Sequence, residues 1–418
     1  HFFRASSWSL EDIRKRWFSA VRLYAPLYKE GNFHVLVGDG VKQSKEGRRM
    51  PGVKKLFQES ENSAKPEYMH GHMFGGLGIL AGNFRSWACI PLSIRLHDGL
   101  QAAREWKGAS VSTASHVVQM VEDSYHAALT FGDSLLLLDR YFLTVPALEK
   151  LRELNNSGKV HMEIVTKAKK SCTAFQKPGP RKPGRGRPPK KGDAVHLKGL
   201  FASHKEQFME TETELYGKKK TIRYYSIDLL WGQKLYQELR FVLVEMDGIQ
   251  SILASTSLAL DPLSIIRLYS YRFRIECTFR ELKQQTGAFC YHFWSKHMPK
   301  LSYYQKKGEP TPLERVEDER SRKKILKTVR AIEVHMELSC IAMGILQTLS
   351  IRFIGKVCSS QIRYQRTPSK GRVSEAALMH YFRKHFFRLL EQKPKSYITQ
   401  IIHELQEESE KHWDFLAS

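Results

Sequence analysis

The sequence predicts an α/β domain that is interrupted by a β-rich insertion and continued by helices. Three observations carry this. Two short apolar runs, Phe33 to Val37 and Leu135 to Leu138, each lead into an aspartate, as strands covered on both faces do. A strand, helix, strand order runs from Ser134 to Thr166. A stretch rich in proline, glycine and basic residues then breaks the alternation, and Tyr-rich, β-branched segments follow it.

The chain has 418 residues, enough for one large domain carrying an insertion or for two or three ordinary domains. Apolar residues make up 42% and charged residues 26%, a globular composition. Lysine and arginine number 67 against 43 acidic residues, a formal net charge of +24 that calls for a polyanionic partner. No unbroken apolar run of about 20 residues and no signal peptide are present, so nucleic acid is expected as that partner and membrane is not. The six cysteines are far apart and form no C-x-x-C pair, which reads as reduced, cytosolic side chains without zinc or thiol redox work. The chain opens on His1, which suggests a fragment lacking an N-terminal domain, with helical Leu10 to Tyr24 as its remnant.

The first strand, Phe33 to Val37, delivers Asp39 at its carboxyl end, between Gly38 and Gly40. Met73 to Leu80 and Trp87 to Ile94 continue it as an antiparallel meander. A helix is expected from His116 to Leu129, then the four-leucine strand that ends at Asp139, a helix over Ala147 to Leu154 and a strand over Val160 to Thr166. This order puts Asp39 and Asp139 on neighbouring strands. Asp133, ahead of the strand, is a rival to Asp139 but sits where turn residues sit. Lys177 to Gly192 holds seven basic residues, five prolines and four glycines, and reads as a tether. His196 to Leu258 reads as the β-rich insertion. A helix capped at Asp261-Pro262 then runs to about Gln285, a long apolar helix spans Ile325 to Ile354, and two amphipathic segments, Ala376 to Leu390 and Tyr397 to Leu405, close the chain.

At about 100° per residue, Tyr269, Arg272, Glu276 and Lys283 fall within an arc of roughly 60° on the glutamate helix. A carboxylate flanked by cations suits phosphate handling: Glu276 holds a metal while Arg272 and Lys283 grip adjacent phosphates. The pattern Y-x2-R-x3-E-x6-K resembles the signature of the DDE transposases of bacterial insertion sequences, in the group typified by insertion sequence four. The Asp39 strand, the Asp139-Arg-Tyr-Phe segment and His70-Gly71-His72 are similar to that family as well, over about Phe33 to Phe293. The spacings of 100 and 137 residues between Asp39, Asp139 and Glu276 suit its layout.

The resemblance implies a ribonuclease-H-like catalytic core interrupted by a β-rich insertion, with Asp39, Asp139 and Glu276 holding two magnesium ions, or manganese as a substitute. Three carboxylates give the hard oxygen ligands that such ions need. It further implies cleavage of transposon ends and strand transfer into target DNA. Its partners would be double-stranded terminal inverted repeats and target DNA, bound by a homodimer in a bacterial cytoplasm at the nucleoid. Tyr269, Arg272 and Lys283 would contact phosphates of the element's end. The expected organisation is a helical remnant over 1–30, core over 31–168 and 261–355, tether and insertion over 169–260 and a helical region over 356–418.

Two further features have two readings each. Arg185 and Arg187, within Pro183-Gly-Arg-Gly-Arg-Pro188, enter an A·T minor groove or track phosphates without base preference. Trp231 stacks on an extruded base or packs within the insertion. His70, His72 and His292 lack the pattern of a zinc site and are assigned no ligand role. A ribonuclease-H-like nuclease, or a silent DNA-binding descendant of a transposase, are the alternative functions.

Overall fold

A computed structural model describes residues 3, 8–58, 64, 66–83, 86–106, 115–179, 188–302, 304, 309–353 and 373–392. Residues 1–348 form one compact unit and 349–418 a second. The apolar runs of the first unit become strands of one mixed sheet. β2 (Phe33–Ser44) pairs antiparallel with β4 (Tyr68–Asn83), which pairs antiparallel with β5 (Ser86–Leu96). On its other side β2 runs parallel to β6 (Ser134–Leu137), and β6 parallel to β7 (Met162–Ala168). Three antiparallel strands followed by two parallel ones, with helices between, are the ribonuclease-H-like arrangement that the sequence predicted. The short strands β1 (Lys29–Glu30) and β3 (Lys54–Phe57) add to β2 and β4.

Residues after β7 extend the sheet edgewise. β13 (Ile249–Ser255) pairs with β7, and β12 (Gln237–Met246), β11 (Lys218–Trp231), β8 (Thr173–Phe175) and β9 (Ala194–His196) follow in order, with β10 (Met209–Leu215) beside β11. The tether arginines Arg185 and Arg187 lie outside the described residues.

The helices of this part are α1 (Leu10–Tyr24), α2 (Gln101–Glu105), α3 (His116–Phe131), α4 (Val145–Asn155) and α5 (Leu200–Ser203); α1 and α4 start at side-chain caps, Ser9 accepting from the Asp12 amide and Thr144 from that of Ala147. Asp133 takes the turn role, its carboxylate accepting from the His161 amide at 2.8 Å. α8 (Glu319–Arg352) is long and apolar enough to cross a membrane by length and composition, but most of its apolar stretch is buried inside the protein. It carries Ile325, Ile332, Met336, Cys340 and Met343 into the core. In the second unit, Ser374 caps α9 (Glu375–Glu391); the segment expected over Tyr397 to Leu405 lies outside the described residues. Every described cysteine is free.

His72 is wholly buried, with Nε2 at 2.8 Å from the Pro51 carbonyl and Nδ1 against the Tyr291 hydroxyl. Burial first, and the Lys45 charge after it, push His72 from 6.5 down to about 4, although the Pro51 carbonyl favours the proton. The unfolded chain therefore binds a proton here that the folded chain refuses. The stabilisation is complete above pH 6.5 and is lost as the pH falls towards about 4. The loss expected from this group is about 3 kcal/mol. Urea denaturation across that window should show a shallower acid limb for His72→Gln than for the wild type.

Candidate active site

Asp39 and Asp139 are brought together by parallel pairing. The register joins His34 to Ser134 and Val37 to Leu137, so two further residues along each chain bring the aspartates level. β2 continues through Asp39 to Ser44, which corrects the expectation that the strand stops at the aspartate: Asp39 lies within it, paired with Gly76 of β4. Asp39 Oδ1 accepts from the Gly40 amide at 2.8 Å. Asp139 caps a short 3-10 turn, Arg140–Phe142, and its carbonyl accepts from Thr166 Oγ1 at 2.8 Å.

Glu276 arrives from the opposite side. The stretch expected as one continuous helix is broken: α6 (Pro262–Tyr271) ends at Arg272, α7 (Phe273–Glu281) starts there, and a π-helical turn, Leu282–Thr286, carries Lys283. At Arg272 the backbone makes tighter i to i−3 bonds, from its own amide to Tyr269 and from the Ile275 amide to its carbonyl. The equal 100° steps assumed for the four-residue stripe therefore do not hold across it.

The break places the Arg272 guanidinium between two carboxylates. Nη1 lies 3.2 Å from Asp39 Oδ2 and 3.2 Å from Glu276 Oε1, and Nη2 lies 3.0 Å from Glu276 Oε1. Burial pushes Asp39 up to about 6, and the charges of Asp139 and Glu276 add to it, while Arg272 and the Gly40 amide oppose. Arg272 is held above its ordinary value: burial disfavours its charge, but Asp39, Tyr269, Asp139 and Glu276 outweigh that. Tyr269, hydrogen-bonded to Arg272, is raised to about 12, chiefly by burial. Two carboxylates thus contact one cation directly, with the Asp139 charge and the Tyr269 hydroxyl adding to its hold.

Glycine makes this approach feasible. A Cβ on Gly76, the partner of Asp39, would come within 2.5 Å of the Phe279 ring, one turn along from Glu276. Phe279 is buried and has little room to yield. Gly76→Ala should cost about 1–3 kcal/mol by overpacking and push the glutamate helix off the sheet. Thermal denaturation and cleavage assays should both register it; an unchanged melting midpoint would show that Phe279 gives way freely.

Lys283 and Trp231 make their contacts elsewhere. Lys283 is exposed, its Nζ 5.4 Å from the Phe289 ring centre. Trp231 ends β11, is partly buried and hydrogen-bonds the Cys172 thiol. Two residues that the sequence reading passed over do join the carboxylates electrostatically. Lys167 on β7 has its charge favoured by Asp139, although burial and its cationic neighbours lower it overall. Tyr216, at the tip of the β10–β11 hairpin, is 58% exposed, has a positive φ of 54° and is coupled to Arg272 and Glu276. Its positive φ, followed by 75° at Gly217, is what the two-residue turn between the paired Leu215 and Lys218 requires. The one local hint was Tyr216-Gly217 between an alternating Thr-Glu segment and the lysine run Lys218 to Lys220.

The donor set of three carboxylates suits a hard divalent cation. Among the described residues, no three His, Cys, Asp or Glu side chains converge closely enough to hold one in this arrangement; Arg272 stands between two of them. The sheet is a ribonuclease-H-like core that carries the carboxylates on its parallel strands and on the facing helix. Residues 108–296 match the family model for the transposase DDE domain. The match contains Asp139 and Glu276 and begins beyond Asp39. No curated protein and no solved structure matches the chain. Transposase DDE domains act on DNA and depend on divalent metal ions.

Proposed function

We propose that this transposase is a member of the insertion-sequence-four group that cleaves the ends of a mobile element and joins them to target DNA. The observation that carries the reading is the shared cluster of Asp39, Asp139, Glu276 and Arg272, set on two parallel strands and a facing helix. Magnesium, or manganese in its place, would supply Lewis-acid activation of the attacking hydroxyl and of the leaving oxygen, held by those three carboxylates. Gly40 and Arg140 amides orient the two aspartates. Arg272 serves as their counter-charge until it withdraws to a DNA phosphate, the anion its planar fork matches best. Lys167, Tyr269 and Lys283 flank the path of the strand. On this reading the protein works on paired element ends as a homodimer, in a bacterial cytoplasm at the nucleoid, and Arg185 and Arg187 add contacts to DNA.

Incubation of the protein with DNA carrying the element and its native flanks, with magnesium and with a chelator, tests this against Asp139→Asn. New 3′ ends and joined products that need both the metal and Asp139 support it. Cutting without joining would favour a nuclease. Binding without cutting by either protein would favour a silent DNA-binding descendant.

A further inference from the structure

A second pocket, of about 710 Å³, opens where the end of β2 and the loop after it meet the segment following the π-helical turn. Lys45 forms its floor: Nζ donates to the carbonyls of Phe289 at 2.7 Å and Tyr291 at 2.9 Å and sits 3.7 Å from the Tyr291 ring centre. The rim is tied across by backbone, the Leu301 amide donating to the Arg48 carbonyl at 2.7 Å and the Ser295 amide to that of Arg49 at 3.1 Å. Arg49 Nη1 adds bonds to the carbonyls of Lys296, at 2.6 Å, and Met298, at 3.2 Å. The pocket is therefore preformed rather than assembled by its ligand. Its walls carry Lys45, Arg48, Arg49 and Lys300 against one carboxylate, Glu46. Trp294 stands on the rim, 56% exposed.

We propose that this pocket is a single-stranded DNA subsite, in which Trp294 stacks on an unpaired base while Arg48 and Lys300 hold the adjoining phosphates. An aromatic face beside several cations suits a nucleotide, because every base offers a π-face and every link a negative charge. Within a duplex both faces of every base are covered by its neighbours, so a stacking tryptophan favours unpaired DNA over duplex DNA. Its position ties it to the cleavage centre. β2 carries Asp39 and, five residues on, Ser44 at the pocket. At about 3.4 Å per residue this is about 17 Å, which equals about five base-pair steps of stacked duplex and fewer steps of an extended single strand. The segment after Glu276 and Lys283 reaches the same pocket through Phe289 and Cys290. The proposal rests on DNA being the substrate, as the proposed function holds.

Fluorescence anisotropy with two labelled probes, a blunt duplex and the same duplex with a single-stranded tail, tests it on the full chain. Trp294→Ala should weaken the tailed probe at least fivefold, the lower end for loss of one base–aromatic stack, and the blunt probe far less; Trp294→Phe should recover most of the loss. Arg48→Ala with Lys300→Ala should reduce the slope of log affinity against log salt by roughly 1.4, for two single-strand phosphate contacts. All three side chains are exposed, and circular dichroism verifies that each variant keeps the fold. Equal losses on both probes, or no loss on either, overturn the subsite while leaving DNA as substrate. If the unmodified protein binds neither probe, the proposed function falls with it.

Discussion

Glu276→Gln should lower the rate of strand cleavage by on the order of a hundredfold or more, the scale expected when one metal-bearing charge is lost from a phosphoryl-transfer site. The amide keeps the shape of the side chain and one acceptor oxygen but removes the negative charge. The effect should fall on chemistry, not on folding. Glu276 is nearly half exposed, whereas its partner Arg272 is largely buried and retains Asp39 at 3.2 Å. DNA binding should be preserved, because the variant removes one carboxylate from a surface that phosphates must approach. Single-turnover cleavage alongside a binding isotherm checks this. Cleavage at the wild-type rate would remove Glu276 from the metal set, and a joint loss of binding and cleavage would mark it as structural.

Arg14→Met should produce the largest loss of stability. Arg14 Nε and Nη2 lie 3.1 and 3.0 Å from Glu337 Oε2, between α1 and the core helix α8, and the Glu337 side chain is 1% exposed. Removing one partner of such a pair leaves an uncompensated charge in the core, at a cost of about 3–5 kcal/mol. Burial already holds Glu337 above the usual carboxylate range, at about 7, with Arg14 pulling it down. Without the arginine it is pushed higher still, and the carboxyl takes up a proton. A carboxyl raised in the folded state favours folding at low pH and loses that advantage as the pH rises. The deficit of Arg14→Met should therefore grow from pH 5 to pH 8, which urea denaturation at the two values measures. Arg14→Met with Glu337→Met should regain most of it, since two apolar side chains leave no charge behind. A deficit independent of pH would mean that lost packing of the arginine stem, not the stranded carboxylate, dominates.

Much of the core was legible because its signals are local. Apolar runs such as Val35 to Val37 and Leu135 to Leu138 can be covered on both faces only as interior strands, and both proved wholly buried. The order of elements between them left parallel pairing as the simple way to join the runs, and that pairing levels Asp39 with Asp139. Capping chemistry at Asp261 marked a helix start that the structure retains. The pairing of Glu276 with Arg272 was readable as an i,i+4 relation and survives the break between α6 and α7.

By itself, then, the sequence determined the α/β core, the two aspartate strands, the glutamate helix and the cationic surface, since each depends on periodicity or on the chemistry of neighbours along the chain. Only the tertiary structure decided what Arg272 does, because its second carboxylate, on Asp39, lies 233 residues away. Tertiary structure also decided that β13 joins β7 so that later strands extend the core sheet, and that Tyr216 and Lys167 reach the acidic cluster. It set the closeness of the glutamate helix too, which depends on the bare face of Gly76 meeting Phe279. Edge pairing, close approach at glycine and charge compensation are all fixed by contacts between segments distant along the chain, and no local pattern records them.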